Sequence, residues 1–211
     1  MSVVQLIELN RVSTKRQISA GGEVIGQGEQ IASYSNIVKG VVKLSKMMAD
    51  GRQQIVGLQF APDFMGRPFL KESSLTAEAA TDAEICAFPR AIIDRLVTDL
   101  PDFEHKLHEQ SLKELDEARE WMLTLGRKTA QEKVASFLYL IATHIDPLQK
   151  FSKNFDLPLS RADIADFLGL TIETVSRQMT KLRKDGVIII ENNRHVIVPD
   201  GRKLKEAAGA D

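Results

Sequence analysis

Cysteine is nearly absent from this chain: Cys86 stands alone among 211 residues. One thiol builds no intrachain disulfide framework and no metal or cluster site made of this chain's thiolates alone. Histidine is scarce too, and none precedes residue 100. His105, His108, His144 and His195 form no ligand set; only the first two are spaced to share a helix face, and two ligands do not make a site. That argues against a metal-dependent β-barrel enzyme, and no catalytic constellation is visible. Long apolar runs are also missing, since none approaches the roughly 18 residues that a bilayer span requires. The amino terminus, with Glu8 and Asn10 after a short apolar patch, lacks the layout of a signal peptide. A protein of the cytoplasm is expected. Neither sign of charge dominates: the formal net charge is −1, so bulk charge does not advertise a polyanionic partner.

What is present is a folded composition, 43% hydrophobic and 27% charged, in a length that suits one or two domains, two being preferred. From Arg16 to Pro89 short β-branched and aromatic runs are punctuated by glycine. Strands are expected in Glu23–Ile25, Ile37–Leu44, Gln54–Phe60 and Ala83–Phe88, with Asp50-Gly51 as a hairpin turn. Strands at this spacing suit an antiparallel sandwich or roll.

The character changes after Pro89. Pro101 to Leu125 contains no internal glycine or proline and predicts one long helix, with Pro101 in its first turn and Gly126 at its end. Ser111, Leu115, Ala118, Met122 and Leu125 recur at alternating steps of four and three, the spacing of a coiled-coil seam. Small Ser111 and Ala118 permit close approach, so this helix is expected to form a homodimer; packing on the chain's own β domain is the alternative. Lys128 to Ile145 predicts a second helix, with Val134, Phe137, Leu138 and Ile141 on its inner side. Asp146-Pro147 interrupts it, and Gln149 to Asn154 reads as a loop.

The most informative segment is Ser160 to Arg183. Ser160 caps a short helix over Arg161–Phe167, Gly169 turns the chain, Thr171 caps a second helix to about Lys184, and Gly186 stops it. Ala165, Gly169 and Val175 supply the small contact residue, the turn glycine and the β-branched core residue of a helix-turn-helix. Ile164, Leu168, Leu170, Met179 and Leu182 complete its interior. The outward positions of the second helix then point to double-stranded DNA. Glu173 can accept from a cytosine amino group, Arg177 can donate twice to guanine, and Ser176 can meet a base or a phosphate. Helix-dipole complementation by Glu173 and an i,i+4 pair between Glu173 and Arg177 are the plainer readings. Thr171 and Lys181 belong to the same DNA-facing set, inside a basic stretch that also holds Arg183 and Lys184. Val187–Ile190 and His195–Val198 flank Asn192-Asn193-Arg194 as a hairpin wing, whose Arg194 is expected to touch phosphate.

With the β domain and long helix before them, these residues resemble the CRP/FNR superfamily of bacterial transcription regulators across nearly the whole chain. The resemblance implies an α+β fold: a β-roll of the cyclic-nucleotide-binding kind over 1–100, a dimerisation helix over 101–126 and a winged helix-turn-helix over 127–211. Leu170-Thr171-Ile172-Glu173-Thr174-Val175-Ser176-Arg177 is similar to the FNR branch, which implies that Glu173, Ser176 and Arg177 read a TTGAT-like half-site in anaerobic or microaerobic genes, mostly as an activator. Gln178 departs from the apolar residue common there. RNA polymerase is an implied partner, a membrane is not. Cyclic AMP is not expected, because Arg67 stands where that cassette needs Glu and no Arg-Ser or Arg-Thr pair follows in Thr76 to Ala80. FNR-type sensors hold a [4Fe-4S] cluster with three amino-terminal cysteines and a fourth in the β-roll. Cys86 matches the fourth alone, so a cluster is expected only if an amino-terminal extension supplies the others. Otherwise Cys86 is a small buried strand residue, and the protein is a regulator controlled by its abundance.

Overall fold

The computed structural model describes Leu9 and residues 11–209. Glu8 and Asn10, on which the signal-peptide expectation rests, lie outside the described residues. The chain divides into two units, Met1–Met47 with Leu58–Arg119, and Met48–Gly57 with Glu120–Asp211.

Strands β1 (Thr14–Ile18), β2 (Glu23–Ile25), β3 (Ser33–Lys39), β4 (Val41–Met47), β5 (Gln53–Phe60), β6 (Phe64–Met65), β7 (Thr76–Ala79) and β8 (Ala83–Pro89) form two sheets, ordered β1-β8-β3-β6 and β2-β7-β4-β5. β8 pairs antiparallel with both β1 and β3, in registers that include Thr14↔Ala87 and Ser33↔Pro89. It alternates buried Ala83, Ile85 and Ala87 with half-buried Glu84, Cys86 and Phe88, the period of two that a strand imposes. Ile37 and Ile85 from one sheet meet Val42 and Ala77 from the other to make the core of the roll. The continuous run expected over Ile37–Leu44 is two strands, divided at Gly40 with φ +93°. A Cβ there would lie 2.5 Å from the Asp82 carbonyl oxygen, so the backbone needs glycine for both conformation and space.

Helix α1 (Arg90–Asp99) follows β8 directly, and its Ile93 and Val97 pack with Tyr34 in a second cluster that Phe64, Phe88, Phe103 and Leu107 border. The Tyr34 hydroxyl donates to Asp94 Oδ1 at 2.9 Å. Burial, with that carboxylate beside it, raises the Tyr34 pKa to about 12. Helix α2 spans Pro101–Arg127 and therefore continues through Gly126. A glycine stops a helix by going left-handed; Gly126 does not, and the break comes where Thr129 caps the next helix.

That helix, α3 (Ala130–His144), opens with a reciprocal capping box between Thr129 and Glu132, and Val134, Phe137, Leu138 and Ile141 are all 0% exposed. Each such side chain contributes about 1.5–3 kcal/mol of burial, so α3 is the centre of the second unit. Helices α4 (Arg161–Leu168), α5 (Ile172–Lys184) and α6 (Gly201–Ala207) complete the unit with β9 (Asn154–Asp156), β10 (Ile189–Glu191) and β11 (His195–Ile197). The segment expected as loop thus ends in a strand: β9 pairs with β11 and makes the wing a three-stranded sheet ordered β10-β11-β9.

Candidate nucleic-acid interface

The pair α4–α5 is assembled from local signals. Ser160 and Asp163 form a capping box at the start of α4: Ser160 Oγ accepts from the Asp163 N–H at 3.1 Å, and Asp163 Oδ2 accepts from the Ser160 N–H at 3.2 Å. Gly169 ends α4 in the left-handed conformation, φ 61° and ψ 42°. Two residues later Thr171 caps α5 by accepting from the Thr174 N–H at 3.2 Å. Val175, Met179 and Leu182 bury one side of α5 at 0–2% exposure, against Ile164, Ala165 and Leu168 in the same interior.

Because these residues point inward, helical periodicity turns Glu173, Ser176, Arg177, Thr180 and Lys184 outward. Thr171, Glu173, Ser176, Arg177 and Lys181 are all exposed, the last four along α5 and Thr171 at its cap. No ion pair joins Glu173 to Arg177 among the described residues, which leaves the guanidinium fork available. The Glu173 carboxylate is held below its ordinary range by hydrogen bonds from its own backbone N–H and from Thr171. It stays ionised, an acceptor only. Acid in the first turn and Lys181, Arg183 and Lys184 in the last also complement the helix dipole.

The wing turns at Asn192 and Asn193, both left-handed with φ 50° and 58°, a conformation asparagine tolerates better than most residues. Arg194 is exposed but lies just past this tip, and its Nε donates to the Leu157 carbonyl at 3.1 Å. One side of its guanidinium therefore fixes the wing.

Two residues of this face escaped sequence reasoning. Arg161, the first residue of α4, donates from Nη2 to the Asn193 carbonyl at 3.3 Å and so ties the wing tip to the helix-turn-helix; burial disfavours its charge and lowers its pKa. Ile172 opens α5 and is 47% exposed. A large apolar side chain left in solvent at the start of a reading helix was the available signal.

The other candidates are distributed elsewhere. Ser111, Leu115, Ala118, Met122 and Leu125 all lie exposed on α2, Met122 at 73%. Cys86 is half-buried on β8, in register with Lys15 and Asn36. His105 pairs with Glu109 and His195 with Asp156. Among the described residues no group of three or more His, Cys, Asp or Glu is placed to hold a metal, and no helix is long and apolar enough to cross a membrane.

Comparison with known proteins agrees with this geometry. Residues 15–99 match the cyclic nucleotide-binding domain family, and residues 132–207 match the Crp-like helix-turn-helix domain family. A probable transcriptional activator of Rhizobium leguminosarum bv. viciae is 66% identical over 210 residues, covering 100% of this chain and 88% of that protein. The transcriptional activator protein FnrL of Cereibacter sphaeroides is 44% identical, covering 98% of this chain and 85% of its own length. The solved structure of FixK2 from Bradyrhizobium japonicum matches with a TM-score of 0.85 at 31% identity, covering 95% of this chain and 99% of that one. With these relatives spanning both units, and with an outward-facing second helix in the helix-turn-helix, the chain belongs to the CRP/FNR superfamily and is a DNA-binding transcription regulator, as its relatives are.

Proposed function

We propose that this regulator activates anaerobic or microaerobic genes from TTGAT-like palindromes, in the manner of the FNR branch. The observation that carries the reading is the exposed set Glu173, Ser176 and Arg177 on α5: one acceptor, one small hydroxyl and one bidentate donor, in the order expected for such a half-site. The activator named FnrL among the relatives supports the same role.

The active species is a homodimer. Its support is the solvent-exposed stripe of α2, where Leu115 is 45%, Met122 73% and Leu125 36% exposed, with Ser111 and Ala118 small enough for helices to approach closely. Two copies related by a two-fold axis put two reading helices in major grooves about 34 Å apart. RNA polymerase is the proposed protein partner at the promoter, and the cytoplasm the place of action.

The β-roll takes no cyclic AMP in this reading. Arg67 stands where the nucleotide cassette of the family needs Glu, and no Arg-Ser or Arg-Thr pair follows in Thr76 to Ala80. A [4Fe-4S] cluster is held by four thiolates, and this sequence has one cysteine. Its own residues do not fit such a cluster. Cys86 fits a fourth ligand only in a longer form; without one, abundance controls activity.

Titration of duplexes with and without a TTGAT palindrome tests the reading. A preference of about 10³-fold or more is expected; equal affinity at moderate salt overturns it. Met122→Glu is expected to shift sedimentation from dimer to monomer, and an unchanged sedimentation coefficient would remove the dimer from the proposal.

A further inference from the structure

The tip of the β4–β5 hairpin, Met48–Gly57, groups with the second unit. Within that unit Gln54, half-buried, donates from Nε2 to the backbone carbonyls of Asp166 at 2.5 Å and Phe167 at 3.3 Å. These carbonyls belong to the last turn of α4, where the Asp166 carbonyl also accepts from the Gly169 N–H at 3.4 Å. Phe167 is gripped from its side chain as well: the Trp121 ring lies 4.6 Å away, tilted by 57°, and the Phe137 ring 6.0 Å away. Backbone and side chain of the same short stretch are therefore held by three residues distant in sequence. Only Leu168, Gly169, Leu170 and Thr171 separate Phe167 from α5, so the placement of the end of α4 sets the placement of the reading helix.

We propose that Gln54 is a positioning residue for DNA reading: its carboxamide seats the end of α4 and thereby aims α5. The inference rests on the proposed reading of a TTGAT-like palindrome. Gln54 itself touches no base.

Gln54→Met keeps length and neutrality but removes both donors. The quantity to measure is the ratio of affinities for the palindrome and for a scrambled duplex at one salt concentration, because non-specific electrostatics cancel in it. The expected result is a fall of about 2- to 30-fold in that ratio, the range typical of residues that act on a site through others. It should be accompanied by a shift in the emission of Trp121, the single tryptophan of the chain. Gln54→Lys, which restores a donor toward the same carbonyls, should recover the ratio. If the Met variant fails to fold, Gln54→Ala makes the same test by truncation. An unchanged ratio overturns the proposal, whether or not stability falls, since a merely structural side chain lowers both affinities in parallel. If the unaltered protein does not discriminate the two duplexes, the proposed function fails instead.

Discussion

Gly169 permits a separation of two effects that substitutions of glycine usually confound. Its φ is +61°, yet a Cβ built there meets nothing within 4 Å. Gly169→Ala therefore introduces backbone strain without a clash. The left-handed region costs an L-residue about 1–2 kcal/mol, while restricting the unfolded chain returns about 0.4–1 kcal/mol. The net loss is about 1 kcal/mol, enough to lower the midpoint of thermal unfolding by roughly 4–8 °C in a unit of ordinary domain size. Gly169→Asn should lose less than half as much, because asparagine tolerates this conformation. Gly40→Ala is the contrasting case. There φ is +93° and the new Cβ would lie 2.5 Å from the Asp82 carbonyl oxygen and 2.8 Å from the Ala83 Cα; neither atom can swing aside, which adds about 1–3 kcal/mol of overpacking. Urea unfolding followed by circular dichroism, with the midpoint read at constant slope, ranks the three variants. The expected order of loss is Gly40→Ala, then Gly169→Ala, then Gly169→Asn. Equal losses for Ala and Asn at Gly169, or a smaller loss at Gly40 than at Gly169, would refute the assignment of strain to one site and strain plus clash to the other.

Arg177→Met should weaken binding to the palindrome by about 1–3 kcal/mol per half-site and relax preference at the guanine, whereas Lys181→Ala should weaken all duplexes alike and reduce the salt slope by about one. Anisotropy titrations of base-substituted duplexes distinguish them, and a uniform loss for Arg177→Met would make it a phosphate contact. Ile172 is expected to cover a thymine methyl, so replacing thymine by deoxyuridine should cost the unaltered protein about 0.8 kcal/mol and the Ile172→Ala variant nothing; an equal response of both removes that contact. Tyr34 favours its neutral form when folded, so its contribution to stability is complete below pH 10.0 and is lost as pH rises toward about 12. Titration of tyrosinate absorbance should show this late step, and its persistence in Tyr34→Phe would assign it elsewhere.

The helix-turn-helix was legible because its signals are local. Ser160, Gly169, Thr171 and Gly186 each mark a boundary by their own hydrogen bonding or dihedral preference, and the helices begin and end where those residues place them. The strands with β-branched cores were legible for the same reason. What stayed hidden depends on partners far along the chain. β1, Thr-Lys-Arg-Gln-Ile, is polar and mostly exposed; it is a strand because β8 pairs with it. β7, Thr-Ala-Glu-Ala, carries helix-favouring residues, and its two neighbours β2 and β4 override them. α1 lies between Pro89 and Pro101 with no acidic first turn and no side-chain cap, so nothing local announces it. Gly126 misled because its position matched a stop while its conformation stayed helical. Gln54 and Arg161 gain their roles from carbonyls more than thirty residues away, which no periodicity encodes.

The pairing of β1 with β8 has a consequence for how the protein is made. β1, which precedes β8 in the chain by some sixty-five residues, waits for Ala83–Pro89 to emerge before it finds this neighbour, since its register runs from Thr14↔Ala87 to Ile18↔Ala83. Closing so long a loop is slow compared with forming capped helices, so the growing chain carries an unpaired edge until most of the β-roll has left the ribosome. β1 is suited to that wait. Its Lys15, Arg16 and Gln17 stay exposed even after pairing, and charged side chains of this kind keep an open edge from joining another nascent chain.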